Sequence, residues 1–142
     1  MEKAAVVKLH SQFEQIVKTD TEVGTEFWMA RDLQELLGYT EWRNFSLVIE
    51  KAKIACKGSK QAIEDHFVDV NKMVDLGSGS KRELADIALT RYACYLIAQN
   101  GDPSKEAIAF AQTYFAVQTR KQELIEQRLG ELERVQARKK LT

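Results

Sequence analysis

Gly101-Asp102-Pro103 interrupts the densest apolar stretch of the chain, Leu84 to Lys121, and that break dictates two helices meeting at a tight corner. Ala88 to Gln99 is apolar on nearly every face, and Gly101 stands where a left-handed residue would close a helix. Asp102 and Pro103 then open the next helix. An Asp at the N-cap accepts unpaired backbone N–H groups, and a Pro at the first helical position loses nothing because its N–H would be orphaned anyway. Beyond it, Ile108, Phe110, Ala111, Tyr114, Phe115 and Val117 spread over more than one face, so other elements must enclose the first half of this second helix. The stretch is therefore the core rather than an active site.

A chain of 142 residues, 44% hydrophobic and 30% charged, fits one ordinary soluble domain. No stretch is long and apolar enough to span a membrane, and the first ten residues lack the apolar run and small-residue cleavage site of a secretory leader, so a cytoplasmic location is expected. Cys56 and Cys94 fall on inward helix faces, where cysteine behaves as a small hydrophobe, and free thiols are expected. Twenty-one basic and 21 acidic residues cancel, but they are unevenly spread. Trp28 to Lys60 holds six basic residues against four acidic, whereas Gln61 to Ala88 holds three against six. The last nine residues add Arg134, Arg138, Lys139 and Lys140 with no acid. A polyanion would meet one side or the tail and avoid the middle.

Val6, Leu9, Phe13, Ile16 and Val17 step as an amphipathic helix over residues 2–19, which the polar run Thr19 to Gly24 ends. A short strand of Gln15 to Lys18 beside Phe27 to Ala30 stays open as an alternative. Leu33, Leu36 and Leu37 form the stripe of a short helix stopped by Gly38. Thr40 can cap the next helix, in which Trp42, Phe45, Ile49, Ala52 and Cys56 step by three, four, three and four. A short helical piece near Ala62 to His66 leads into Phe67 to Leu76, and Gly77-Ser-Gly-Ser80 turns the chain so that Arg82 to Ile87 returns as a β-hairpin. After the helix pair, Ile125, Leu129, Leu132 and Val135 continue one stripe at roughly heptad spacing, which needs a partner such as a second copy of the chain.

Leu33 to Lys57 carries the main functional signal, because two helices joined by Gly38-Tyr39-Thr40 match the Gly-containing corner of a helix-turn-helix. Arg43 and Asn44 lie in the first turn of the second helix, where side chains meet base edges, the first suited to guanine and the second to adenine. Lys51 and Lys53 extend the basic face, and simple packing of the two helices is the competing reading, favoured by Glu41 beside them. Gly77 to Arg82 lacks P-loop spacing, so a hairpin turn explains it, with Lys81 and Arg82 as secondary backbone contacts. His66 has no nucleophile near it in sequence, and acids at Asp69, Asp75 and Asp86 read as a solvated hairpin face. Two Cys and two His without paired spacing imply no metal, and no cofactor motif occurs. Arg91, Tyr92, Gln99, Asn100, Gln112, Gln118 and Arg120 lie in or beside the apolar helix pair. They should bond one another, the helix ends or the hairpin, with a ligand groove as the alternative.

Phe27-Trp-Met-Ala-Arg-Asp-Leu-Gln-Glu-Leu-Leu-Gly-Tyr-Thr-Glu-Trp-Arg-Asn-Phe45, with Leu89 to Ser104 and Gln112 to Arg120, closely resembles the bacterial DNA-damage-inducible protein D (DinD) family from about Phe13 to Leu124. More distantly, Ala30 to Tyr39 is similar to the BRO-N module of viral BRO proteins and phage antirepressors, which are associated with DNA binding. The resemblance implies an SOS-response protein rather than an enzyme, a further C-terminal region in the family, and a recombinase-coated single strand as a partner. Together these readings give a mainly helical α+β domain with a small β-hairpin and a long C-terminal helix. Residues 1–124 form the BRO-N-like domain, and residues 125–142 extend the helix as a dimerisation segment. The expected function is a non-catalytic DNA-damage-response module, a homodimer that binds DNA or a recombinase–DNA filament. The alternative is an adaptor that docks the recombinase without touching DNA.

Overall fold

The computed structural model describes residues 3–141, with side chains described as far as Lys139. Helix α1 (Lys3–Ile16) is followed by a two-residue strand β1 (Lys18–Thr19), then β2 (Glu26–Met29), α2 (Ala30–Leu36) and α3 (Trp42–Gly58). A single-turn α4 (Ile63–His66) leads into β3 (Phe67–Asp75) and β4 (Lys81–Leu89), and α5 (Arg91–Gln99) and α6 (Glu106–Leu141) complete the chain. The four strands form one antiparallel sheet in the order β1-β2-β4-β3. The pairing of β3 with β4 runs from Phe67 opposite Leu89 out to Asp75 opposite Lys81. Gly77 and Gly79 at its turn take positive φ, which glycine adopts without steric cost.

The core gathers Phe13 of α1, Trp28 of β2, Phe45 and Ile49 of α3, Leu89 of β4, Ile97 of α5, and Ile108 and Phe115 of α6. Phe13 and Trp28 meet the Phe115 ring edge-on at 5.6 and 5.4 Å. Each such side chain contributes roughly 1.5–3 kcal/mol by leaving water. Only the first part of α6 joins this core: its 36 residues span about 54 Å, and Leu124, Ile125, Leu129, Leu132 and Val135 are all more than 40% exposed. The two cysteines are buried and free, as their positions implied.

Several boundaries depart from the sequence reading. Leu84 to Leu89 is strand, and α5 starts only after Thr90, whose Oγ1 accepts the Ala93 N–H at 3.2 Å. A short apolar run reads equally as buried strand or buried helix, and pairing with β3 decides it here. Gly101 is not left-handed. A Cβ there would sit 2.9 Å from Ile108 Cγ2, so glycine lets the end of α5 approach α6. Asp102 caps the turn before α6 rather than the helix itself: its Oδ1 accepts Ser104 N–H at 3.0 Å and Ser104 Oγ–H at 2.8 Å, and α6 begins at Glu106. Thr40 does not cap α3; Glu41 occupies the N-cap without a side-chain bond. Helix α1 stops at Ile16, and the strand alternative holds in shortened form, as Lys18–Thr19 rather than Gln15 to Lys18, with Lys18 opposite Phe27 and Thr19 opposite Glu26.

Candidate nucleic-acid interface

The α2–α3 corner is built by backbone geometry around Gly38. With φ at +83°, Gly38 is the left-handed residue that ends α2, and Tyr39 N–H reaches back to Gln34 C=O at 3.0 Å while Gly38 N–H bonds Glu35 C=O at 3.1 Å. Gln34 Nε2 returns to Tyr39 C=O at 3.0 Å, so one side chain brackets the corner. The Tyr39 ring packs on Phe45 and carries the Lys105 ammonium at 4.4 Å, tying this corner to the start of α6. Burial, and then the Asp102 carboxylate, hold the Tyr39 phenol above its ordinary range.

Helix α3 turns Phe45, Ile49, Ala52 and Cys56 inward, as its periodicity required. Arg43, Asn44 and Lys51 are exposed, whereas Lys53 is half-buried and lies 3.4 Å from Glu50. The outward stripe also carries Leu47 and Ile54, 60% and 72% exposed, which the inward pattern did not announce. Trp42, expected in the core, is only partly buried and supports the Arg31 guanidinium at 4.2 Å from its ring centroid.

The β3–β4 hairpin is an arm. Phe67, Asp86, Ile87 and Leu89 are buried at its base, while Lys81 and Arg82 are exposed at its tip, roughly 27 Å along the strand from Leu89 at about 3.4 Å per residue. Lys81 and Arg82 sit on a different element from Arg43 and Asn44. Arg31 joins those elements, with its Nε donating to Ala85 C=O at 2.7 Å while its guanidinium covers Trp42 at the start of α3. Asp86 corrects the expectation of a solvated acidic face. At 1% exposure it is the buried charged residue among the described residues, and its Oδ1 accepts Arg31 N–H at 3.1 Å and Ile87 N–H at 2.8 Å. The carboxylate from β4 thus caps α2, whose own N-cap, Met29, supplies no side chain for the purpose. Lys72 Nζ stands 3.9 Å from the other oxygen. Asp69 and Asp75 are exposed. Neither Arg31 nor Lys72 stood out in the sequence, because their roles depend on chain segments far apart.

Three of the polar side chains of the helix pair bond within the fold: Asn100 Nδ2 and Gln112 Nε2 donate to Leu96 and Ala98 carbonyls, and Arg91 pairs with Glu26 at 2.7 Å. His66 Nδ1 lies 2.7 Å from Thr90 Oγ1 and its ring meets Tyr92, so the imidazole is held at the start of α5. An open cleft of about 590 Å³ between β2, α5 and α6 is lined by Glu26, Glu123 and Glu126 along with Arg91, and that acid excess disfavours a polyanion. Among the described residues no group of three or more His, Cys, Asp or Glu could hold a metal ion, and no helix is long and apolar enough to cross a membrane.

The model of the BRO family, N-terminal domain, matches residues 16–117. DNA damage-inducible protein D of Escherichia coli (strain K12) is 55% identical over 115 residues, covering 81% of this chain and 42% of that protein. The chain thus spans about two-fifths of the length of this relative. No solved structure matches. Its match to the family model runs from the end of α1 through the corner, the arm and the helix pair into α6, and on that basis the chain belongs to the BRO family through its N-terminal domain and is a homologue of DNA damage-inducible protein D.

Proposed function

We propose that the chain is a non-catalytic module of the DNA-damage response that binds DNA through α3 and the hairpin arm. The observation that carries this reading is the Arg43, Asn44 and Lys51 surface at the solvent side of α3, set behind a glycine corner and tied by Arg31 to a projecting arm. Arg43 and Asn44 sit in the first turn of α3, where a recognition helix addresses base edges, and Lys51 and Lys53 lie further along it for phosphates. With the two-residue β1 and the single-turn α4 set aside, the order α1, β2, α2, α3, β3, β4 with β2 beside β4 is also that of a winged helix-turn-helix, in which the hairpin lies along the nucleic-acid backbone. This fold-level likeness supports the reading by analogy. The Ile125, Leu129, Leu132 and Val135 stripe on the exposed part of α6 supports a homodimer, since an isolated helix gains little from it.

One observation favours a second reading. Leu47 and Ile54, exposed between the basic residues of α3, suit a protein surface as well as thymine methyl groups, and would serve an adaptor that docks a recombinase filament without touching DNA. Fluorescence anisotropy of labelled duplex and single-stranded DNA across a salt series separates the two. Binding should weaken with salt, and replacing Arg43 and Lys51 by Glu should abolish it. Absence of binding at low salt, together with capture of a recombinase-coated strand by the same double variant, would overturn DNA contact in favour of the adaptor.

A further inference from the structure

The arm has two chemically different faces, fixed by register rather than composition. Val74 lies opposite Arg82, Lys72 opposite Leu84, Val70 opposite Asp86 and Val68 opposite Ala88, so these eight side chains share one face. Asp75 opposite Lys81, Met73 opposite Glu83, Asn71 opposite Ala85 and Asp69 opposite Ile87 make the other. The exposed charges of the first face are Lys72 and Arg82, because its acid, Asp86, is buried and already bonded to Arg31 and Ile87 N–H groups. The second face exposes Asp69, Asp75 and Glu83 against Lys81 alone. Lys81 stands directly across the ladder from Asp75 and two residues from Glu83, so its charge is answered on its own face.

Lys72 and Arg82 are diagonal neighbours, roughly 7–8 Å apart by the geometry of such pairs. Both are apolar-flanked cations, Lys72 beside Leu84 and Arg82 beside Val74, with the Lys72 side chain 45% exposed and its ammonium at the outer limit of its pairing with Asp86. Two adjacent cations on a ribbon with no exposed acid on that face suit the phosphate backbone of a duplex, whose groove admits a two-stranded ribbon as it admits a helix.

Resting on the DNA-binding reading above, we propose that the arm meets duplex phosphates with its Lys72–Arg82 face and turns the Asp69, Asp75 and Glu83 face away, so that Lys72 binds phosphate and Lys81 does not. The assignment adds Lys72 and reduces the basic pair of the tip to Arg82. It also explains how a segment with an excess of acid takes part in holding a polyanion: alternation puts the acids behind the ribbon.

Salt-dependent anisotropy on the full chain with labelled duplex DNA tests this. Each neutralised phosphate contributes about 0.9 to the slope of log K against log salt, so K72Q and R82Q should each flatten the slope by that amount and K81Q should leave it unchanged. K72R should restore the original slope. A structural role for Lys72 beside Asp86 would instead lower the melting temperature of K72Q at constant slope, and that outcome would overturn the assignment. So would a K81Q effect as large as that of K72Q, or a K72Q effect seen only with single-stranded probe. A wild-type chain that binds no DNA at low salt would sink the underlying reading itself, a result distinguishable from all of these.

Discussion

Removing the carboxylate of Asp86 should cost more than removing any other charge of the arm. In Asp86→Ala, the Arg31 N–H in the first turn of α2 and the Ile87 N–H of β4 lose their shared acceptor inside a site that is 1% exposed. A hydrogen bond to a charged group contributes about 1.5–3 kcal/mol, and loss of an N-cap about 0.5–2 kcal/mol. Against this, Asp86 Oδ2 is buried without a hydrogen bond, and relieving it offsets part of the loss. The Lys72 contact, at 3.9 Å and 45% exposed on the lysine side, adds little. The net expectation is a destabilisation of about 2–3 kcal/mol, which for a chain of this size lowers the melting temperature by roughly 6–12 °C. Asp86→Asn keeps an acceptor oxygen and should cost about 1 kcal/mol. Urea denaturation followed by circular dichroism, with an unchanged m-value as the control for two-state behaviour, reads both variants. An alanine variant within about 0.5 kcal/mol of wild type, or an asparagine variant as unstable as the alanine one, would refute the long-range cap.

Alkaline pH should destabilise the fold. Burial, then the hydrogen bond to the Glu14 carboxylate, hold the Tyr114 phenol well above its ordinary value of 10.0, and burial pushes the Cys94 thiol well above 9.0. Both stay protonated in the fold and ionise earlier in the unfolded chain, so this stability is intact below pH 9 and is lost as pH rises through 9 to 11 and beyond. A urea midpoint that stays constant from pH 8 to 11 would contradict this. Shortening the chain before Ile125 should convert a dimer into a monomer in light scattering, and an unchanged mass would remove the α6 stripe as the seam.

The legible parts of the fold were those whose signal is local. Helix α3 announces itself because Phe45, Ile49, Ala52 and Cys56 recur on one face, and the arm because Gly77-Ser-Gly-Ser80 demands a turn between two strand-forming runs. Leu84 to Leu89 was harder, since a short apolar run looks the same in a buried strand and a buried helix until its partner is known. Gly101 invites a local reading as a helix stop, yet what requires glycine is the Ile108 side chain from another helix. Arg31 and Asp86 lie 55 positions apart, and neither has a sequence neighbour that betrays the cap. The charge of the arm is a related case: a count over Gln61 to Ala88 averages two faces, whereas register separates Lys72 and Arg82 from the exposed acids.

On the DNA-binding reading proposed above, that separation is what would let a chain of zero net charge meet a polyanion. On that same reading, with Lys51 and Lys53 on α3 and Lys72 and Arg82 on the arm, one copy offers four cations to phosphates, which corresponds to a salt slope of about −3.6 and a loss of roughly 10²-fold in affinity between 50 and 200 mM salt. Acids elsewhere subtract little, because at physiological salt an exposed charge is screened beyond about 8 Å. Four contacts give only weak binding by themselves, so on this reading a dimer seam at the exposed stripe of α6 would bear on DNA affinity as well as on assembly. A second copy joined through it would add four more cations at high effective concentration if both faces reach one duplex. The chain shortened before Ile125 should then bind duplex with about half the salt slope of the dimer. An equal slope in both would mean that one copy alone meets the DNA, whatever the α6 stripe assembles.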